Sequence, residues 1–331
     1  MFRLAILLIT VLSSFSFAQE RDPWIGKRVF IKEGAVAKVG NETIDRSKLS
    51  SPSTVGDVNG DWLWLGRAWV QKKDVMEAQE ALDFYTEKIR LNPSDSRSWY
   101  LRACVWSEKG EVENAIKDGT EAIRLDPKKS VAYAGRAADF LSKGELDAAI
   151  RDATEAIRLD PKSDFAYQSR GASLISKGDV DAAIKDYTEA IRLDPKSDFT
   201  YGSRGRALQS KGDIDAALKD YTEAIRLNPK DADWSNALAW LCSTCPDEKY
   251  CDGKKAIELA TKACELSAWK TWNHVGTLGA AYAESGDWEN AIKYQEKAIE
   301  MATDEKDKVG GRERLELYKN KQPYRQEIKK K

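Results

Sequence analysis

The sequence predicts a mainly α protein, an array of stacked helix pairs preceded by a small all-β unit. Three observations predict it. Prolines recur at Pro93, Pro127, Pro161, Pro195 and Pro229, 34 residues apart, and glycines keep that step at Gly110, Gly144, Gly178 and Gly212. Between them the chain nearly copies itself, as in KGELDAAIRDATEAIRLDPKSDF, KGDVDAAIKDYTEAIRLDPKSDF and KGDIDAALKDYTEAIRLNPKDAD. Ahead of the repeats, short β-branched and aromatic runs flank an Asn-Gly dipeptide.

The chain opens with MFRLAILLITVLSSFSFAQE. Arg3 supplies a positive start, Leu4 to Leu12 an apolar core, and Ser16-Phe17-Ala18 a small-x-small cleavage site. Residues 1–18 therefore read as a signal peptide, and the mature protein is expected to be exported, periplasmic or secreted, in a bacterium. The apolar run is short for an uncleaved membrane anchor, and no cysteine follows it to take a lipid.

Residues 24–75 have strand character. Val29-Phe30-Ile31 is one run, and TVGDVNGDWLWLGRAWVQKKDV offers two strands joined at Asn59-Gly60, a strong short hairpin signal. Alternation in Asp61 to Leu65 puts Trp62 and Trp64 on one face and Leu63 and Leu65 on the other. A third strand follows at Ala68-Trp69-Val70. The string GDWLWLGRAWV is similar to the close of a bacterial SH3-like barrel, a fold that often binds extended or proline-rich peptide on exposed aromatics. The competing expectation is that Trp62, Trp64 and Trp69 fill the small core or pack on the first helix of the array, because so small a domain needs every large side chain to stay folded.

A helix from Val75 to Leu91 carries second-helix text (ALDFYTEKIRLNP) without a first helix. Residues 76–93 thus form a half-repeat expected to seal the first full pair and join it rigidly to the barrel. In that pair Trp99, Ala103 and Trp106 make one helical stripe, Gly110 stops the helix, and Ala115 and Ala122 give the second helix a small face. Asp126-Pro127 ends the unit, since proline disfavours helical geometry in the residue before it. The next units repeat the scheme with Tyr133, Ala137, Phe140, Ala149 and Ala156, then Tyr167, Gly171, Leu174, Ala183 and Ala190, then Tyr201, Gly205, Leu208, Ala217 and Ala224. This small–large–small order, closed by proline, resembles the tetratricopeptide repeat. The resemblance implies a right-handed superhelix whose concave groove is lined by the first helix of each pair. Neighbouring pairs must stack, because one pair cannot bury its apolar faces alone.

After Pro229 the period slips, for Gly286 lies two periods plus six residues beyond Gly212. The extra residues fit in CSTCPDEKYCDG, between a first helix (Ala232 to Leu241) and a second (Lys254 to Leu266). The units are then 94–127, 128–161, 162–195, 196–229, 230–269 with the insertion, and 270–303. A charged helix in 304–320, with Leu315, Leu317 and Tyr318, is expected to cap the last apolar face. The tail, 321–331, is expected to be loose.

Chemistry-bearing residues are few. His274 lies beside a position that the repeat buries, and no sequence signature of a nucleophile or an orienting carboxylate surrounds it. No phosphate-binding glycine loop occurs, so no enzyme and no cofactor are expected. Cys242, Cys245 and Cys251 crowd the insertion. A disulfide from Cys251 to Cys242 or Cys245 leads, a buried thiol comes second, and a metal site third because a fourth ligand is missing. Arg102, Arg136, Arg170 and Arg204 step in parallel with Asp118, Asp152, Asp186 and Asp220, as a ladder of ion pairs across each helix pair would require. An anionic-ligand track is the weaker reading, because the signs balance.

Function is read where the units differ. The resemblance turns Arg97, Tyr100 and Cys104 toward the groove, then Val131, Ala134, Ala138 and Leu141. Phe165, Gln168, Ala172 and Ile175 follow in the third unit, and Phe199, Gly202, Arg206 and Gln209 in the fourth. The Lys and Asn clamp by which chaperone-binding members hold a C-terminal carboxylate is absent at these positions. The expected ligand is an extended, partly apolar peptide or a helix of an unidentified partner protein, bound through Arg97, Tyr100, Val131, Leu141, Phe165, Gln168, Phe199 and Arg206. Alternatively Phe165 and Phe199 only pack between helices, or the barrel recognises an envelope peptide or polymer and the array is a spacer or dimerisation surface. Lys and Arg number 53 against 54 Asp and Glu, a net charge of −1 that favours neither nucleic acid nor an anionic membrane. The sequence leaves the oligomeric state open.

Overall fold

A computed structural model of the chain describes residues 22–40, 42–44 and 53–327. The expected signal peptide, part of the β region and the last four residues lie outside these. The described residues form two compact units. One holds those up to Pro93 with Cys104–Glu111, the other Ser94–Ala103 and Val112 onward.

The first unit contains eight short strands, β1 (Arg28–Ile31), β2 (Ala37–Val39), β3 (Glu42–Ile44), β4 (Ser53–Thr54), β5 (Asp57–Asn59), β6 (Trp62–Trp64), β7 (Trp69–Gln71) and β8 (Val75–Met76). They pair antiparallel in two sheets, ordered β3-β2-β7-β6-β5 and β4-β1-β8. The hairpin forms one residue later than the Asn59-Gly60 reading places it: Asn59 pairs with Trp62, which leaves Gly60 (φ +57°) and Asp61 as the two-residue turn. The core is aliphatic, with Val29, Ile31, Val55, Leu63 and Val70 almost fully buried. Trp62, Trp64 and Trp69 stay partly exposed, which corrects the expectation that they fill the core. Alternation explains it, because Leu63 and Val70 take the inner face and turn their tryptophan neighbours outward. The helix expected from Val75 also starts later. Val75 and Met76 pair with Ile31 and Phe30 as β8, and α1 (Ala78–Leu91) then packs on β1 and β8 through a face that includes Ala81 and Tyr85.

The second unit is helical. Its helices are α2 (Ser96–Glu108, whose end belongs to the first unit), α3 (Val112–Leu125), α4 (Ser130–Lys143), α5 (Leu146–Leu159), α6 (Asp164–Lys177), α7 (Val180–Leu193), α8 (Asp198–Lys211), α9 (Ile214–Leu227), α10 (Ala232–Thr244), α11 (Gly253–Leu266), α12 (Trp272–Glu284), α13 (Trp288–Met301) and α14 (Glu305–Lys319). Ser163 and Ser197 accept the first free amides of α6 and α8, and Asp179 and Asp213 those of α7 and α9. The first helices end on Gly144, Gly178 and Gly212 at φ +80°, +91° and +88°, where a side chain would be strained. Ala149, Ala156, Ala183, Ala190, Ala217 and Ala224 are fully buried, so each second helix lies close against its neighbours. Contacts run from each pair to the next, as in a solenoid.

The expected ion-pair ladder is present. Arg102, Arg136, Arg170 and Arg204 each hold Asp118, Asp152, Asp186 and Asp220 through two N–H donors, at 2.6–3.0 Å. Three of them also donate backward to a threonine on the preceding second helix, to Thr120, Thr154 and Thr188. One guanidinium therefore pins three helices.

The insertion closes without a disulfide. Cys242, Cys245 and Cys251 are thiols, which corrects the expected disulfide. Cys242 and Cys245 are built into the apolar core of α8–α13, and Cys251 donates its thiol to the Cys245 carbonyl at 3.3 Å. A short turn at Glu248–Tyr250 is held instead by the Tyr250 hydroxyl on Asp215 (2.8 Å) and by the Asp252 amide on the Cys242 carbonyl (2.9 Å). Among the described residues no three His, Cys, Asp or Glu side chains gather as a metal site, and no helix is long and apolar enough to cross a membrane.

Helix α14 covers the final pair through Tyr318, fully buried with Ala280, Ala283 and Ala291. The chain does not then come loose. Lys321 turns at φ +56°, and Gln322–Glu327 runs back onto α10, which corrects the expectation of a loose tail for those residues.

Candidate peptide-binding face of the first helices

Neighbouring first helices approach one another directly, α4 on α6, α6 on α8 and α10 on α12, in addition to contacting the second helices between them. In a solenoid the side on which such helices converge is the inner, concave one. Val131, Phe165 and Phe199 stand one period apart, each as the second residue of its helix, and are 43%, 45% and 52% exposed. Gln168 is partly buried, its amide 3.3 Å from Asp164, and Leu141 and Ile175 lie at the far ends of α4 and α6. Arg97 is exposed at the start of α2, and Lys129 lies over the ring of Tyr100. Two expected lining residues are not available, since Ala134 and Gly202 are buried.

Aromatic and cationic side chains gather at the fourth and fifth pairs. Trp234 packs where Gly202 has no side chain, and a Cβ there would come within 2.3 Å of the indole. The indole N–H donates to Asp198 at 3.2 Å, the Phe199 ring meets it edge-on at 6.3 Å, and the exposed Arg206 guanidinium lies 4.8 Å above it. Next to this cluster is a cavity of about 500 Å³ lined by Arg206, Gln209, Asn236, Trp240, Gln326 and Glu327, among others. Tyr221 forms part of its wall; its hydroxyl donates to the Gln209 side-chain carbonyl at 2.8 Å, and burial keeps it protonated far above the ordinary tyrosine range. Trp234, Asn236 and Trp240 escaped the sequence reading because the fifth unit departs from the repeated text. One signal was there: stepping by the period from Cys104 passes Ala138, Ala172 and Arg206 and reaches Trp240.

His274 proves better furnished than its sequence neighbourhood suggested. Its Nδ1 lies 3.1 Å from the Ser267 hydroxyl and its Nε2 3.2 Å from an Asp233 carboxylate oxygen. The arrangement does not suit nucleophilic catalysis. The Ser267 hydroxyl donates to the Cys264 carbonyl, the amides of Ser267, Ala268 and Trp269 are all spent on helix-end carbonyls, and the histidine is 2% exposed. It ties α10, α11 and α12 together.

Four stretches, residues 96–129, 164–197, 199–231 and 276–309, match models of the tetratricopeptide repeat. No curated protein matches the chain. Among solved structures, the APC/C hetero-tetramer Cut9–Hcn1 aligns with a TM-score of 0.63 at 18% identity, over 73% of this chain and 46% of that one. The chain thus spans about half the length of that neighbour, and the likeness is one of fold. A crystal structure of MamA aligns at 26% identity over 48% and 91%, with a TM-score of 0.41. A MamA fragment from Desulfovibrio magneticus RS-1 aligns at 20% over 46% and 86%, again at 0.41. The helical unit has the fold of a tetratricopeptide-repeat solenoid.

Proposed function

We propose that this protein is an exported, non-enzymatic scaffold that holds an extended, partly apolar segment of a partner protein on the concave face of its first helices. The observation carrying this reading is the row of exposed Val131, Phe165 and Phe199 leading to the Arg206–Trp234 cluster and its cavity. Exposed aromatic and aliphatic side chains at a helical step give a peptide pockets for alternate residues, and the cation orients it. The test is capture from an envelope extract on the full chain beside a variant carrying Phe165→Ala, Phe199→Ala and Arg206→Glu, with circular dichroism checking its fold. A partner held by the first and lost from the second is expected; equal retention contradicts the reading.

A second reading has its own observation. The first unit, read as SH3-like, shows Trp64 and Trp69 with rings 5.5 Å apart and Lys38 5.1 Å above Trp62, an aromatic face suited to an envelope peptide or polymer. A Trp62→Ala, Trp64→Ala chain that loses the captured partner would favour it.

A further inference from the structure

The described end of the chain is bound as a peptide would be. The Gln326 amide donates to the Thr244 carbonyl at 2.8 Å, and its side-chain carbonyl accepts from the Trp240 indole N–H at 2.9 Å and the Gln209 amide at 3.2 Å. Gln209 is itself aimed, because its other end accepts the Tyr221 hydroxyl. Arg325 pairs with Glu284 and reaches the Ser243 carbonyl at 3.3 Å. The Tyr324 ring lies 5.8 Å from that of Trp240, and the Arg314 guanidinium is within 6 Å of both. The hydrogen-bonding groups come from α8, α10 and α12, the first helices that line the concave face, and Arg314 from α14.

From this we infer that the floor of the groove at α8, α10 and α12 is a sequence-reading peptide site, and that its occupant is this chain's own Tyr324-Arg325-Gln326. The site takes an extended segment in which an aromatic, a cationic and an amide side chain follow one another. Trp240 and Arg314 both lie against the aromatic, in a three-way cluster with each other, Glu284 neutralises the cation, and Trp240 with Gln209 reads the amide carbonyl. Three features separate it from plain end-packing. The reading groups are side chains at positions where other units carry small or unrelated residues. The segment leaves the cavity of about 500 Å³ beside Gln326 unfilled. In its wall the buried Asn236 Oδ1 has no hydrogen-bond partner among the described residues. A partner segment of the same pattern enters only by displacing the tail, so affinity for it is reduced by the fraction of time the tail is seated.

This inference rests on the reading of the concave face as a peptide site and adds the chemistry of its ligand. The probe is a fluorescein-labelled synthetic peptide of residues 320–331, titrated by anisotropy into the full chain. A chain carrying Tyr324→Ala, Arg325→Ala and Gln326→Ala has an emptied site and is expected to bind it at least tenfold more tightly than the unaltered chain. Adding Trp240→Ala and Glu284→Gln should remove that gain. Equal binding to the unaltered and tail-altered chains, or none to a tail-altered chain whose helicity is intact, overturns the proposal. Gln326→Ala alone, which removes only two side-chain hydrogen bonds, repeats the comparison should the triple variant unfold, with a gain of about threefold expected and no gain contradicting it. A tail peptide that fails while the Phe199 face still captures its partner refutes the tail site only. Failure of both removes the groove reading as well.

Discussion

Arg170 shows how single residues hold the array. It grips Asp186 with two N–H groups, donates to Thr154 on the preceding helix, and lies over Tyr167. Hydrogen bonding by Asp186 raises its pKa further, against the lowering effect of burial, so it is charged at every accessible pH. Asp186 is 6% exposed, and truncating its partner would strand a buried carboxylate. Arg170→Ala is expected to cost about 3 kcal/mol in urea unfolding, whereas Arg170→Met combined with Asp186→Leu recovers most of that loss. Equal losses in both would mean that the pair contributes mainly through its contact with Thr154. This ladder was legible in the sequence because both series keep the period. The Thr120, Thr154 and Thr188 contacts were not, since they depend on how one pair is offset against the next.

At the scale of elements, repeated text was read almost to the residue and unrepeated text less well. The helix pairs, the capping glycines and α14 follow from periodicity and stop signals. Strand β8 was taken for helix because Val75-Met76 adjoins good helix formers, and only pairing with β1 reveals it. The tail looked loose because a short polar segment shows no pattern, and its order comes from Trp240, Ser243, Thr244 and Glu284 far away in sequence. The cysteine loop was misjudged in the same way. Clustered cysteines behind a signal-peptide-like start suggest a disulfide, yet the fold uses Cys242 as a core side chain. Burial pushes Cys242 and Cys251 up to about 11, from an ordinary value near 9. A raised thiol pKa stabilises the fold fully below about pH 9, and that contribution is lost as pH rises through about 11. At pH 8 their thiolate fraction is roughly a hundredfold below that of the unfolded chain. Ellman's reagent is expected to label them slowly in the native protein and promptly in urea; prompt native labelling would place them at the surface.

At the scale of the whole molecule, the pairs of a solenoid contact chiefly their neighbours, and the proposed function rests on the side chains that vary along one face. Here the second helices are nearly invariant from α5 to α9 while the first helices change, and the proposed site draws on those changes at Phe165, Phe199, Arg206 and Trp240. The measurement that tests this most directly is backbone hydrogen exchange of the full chain with and without its captured partner. The account predicts slowed exchange on α6, α8 and α10, with α5, α7 and α9 unchanged. Slowing confined to β6 and β7, or spread over the second helices, would contradict it.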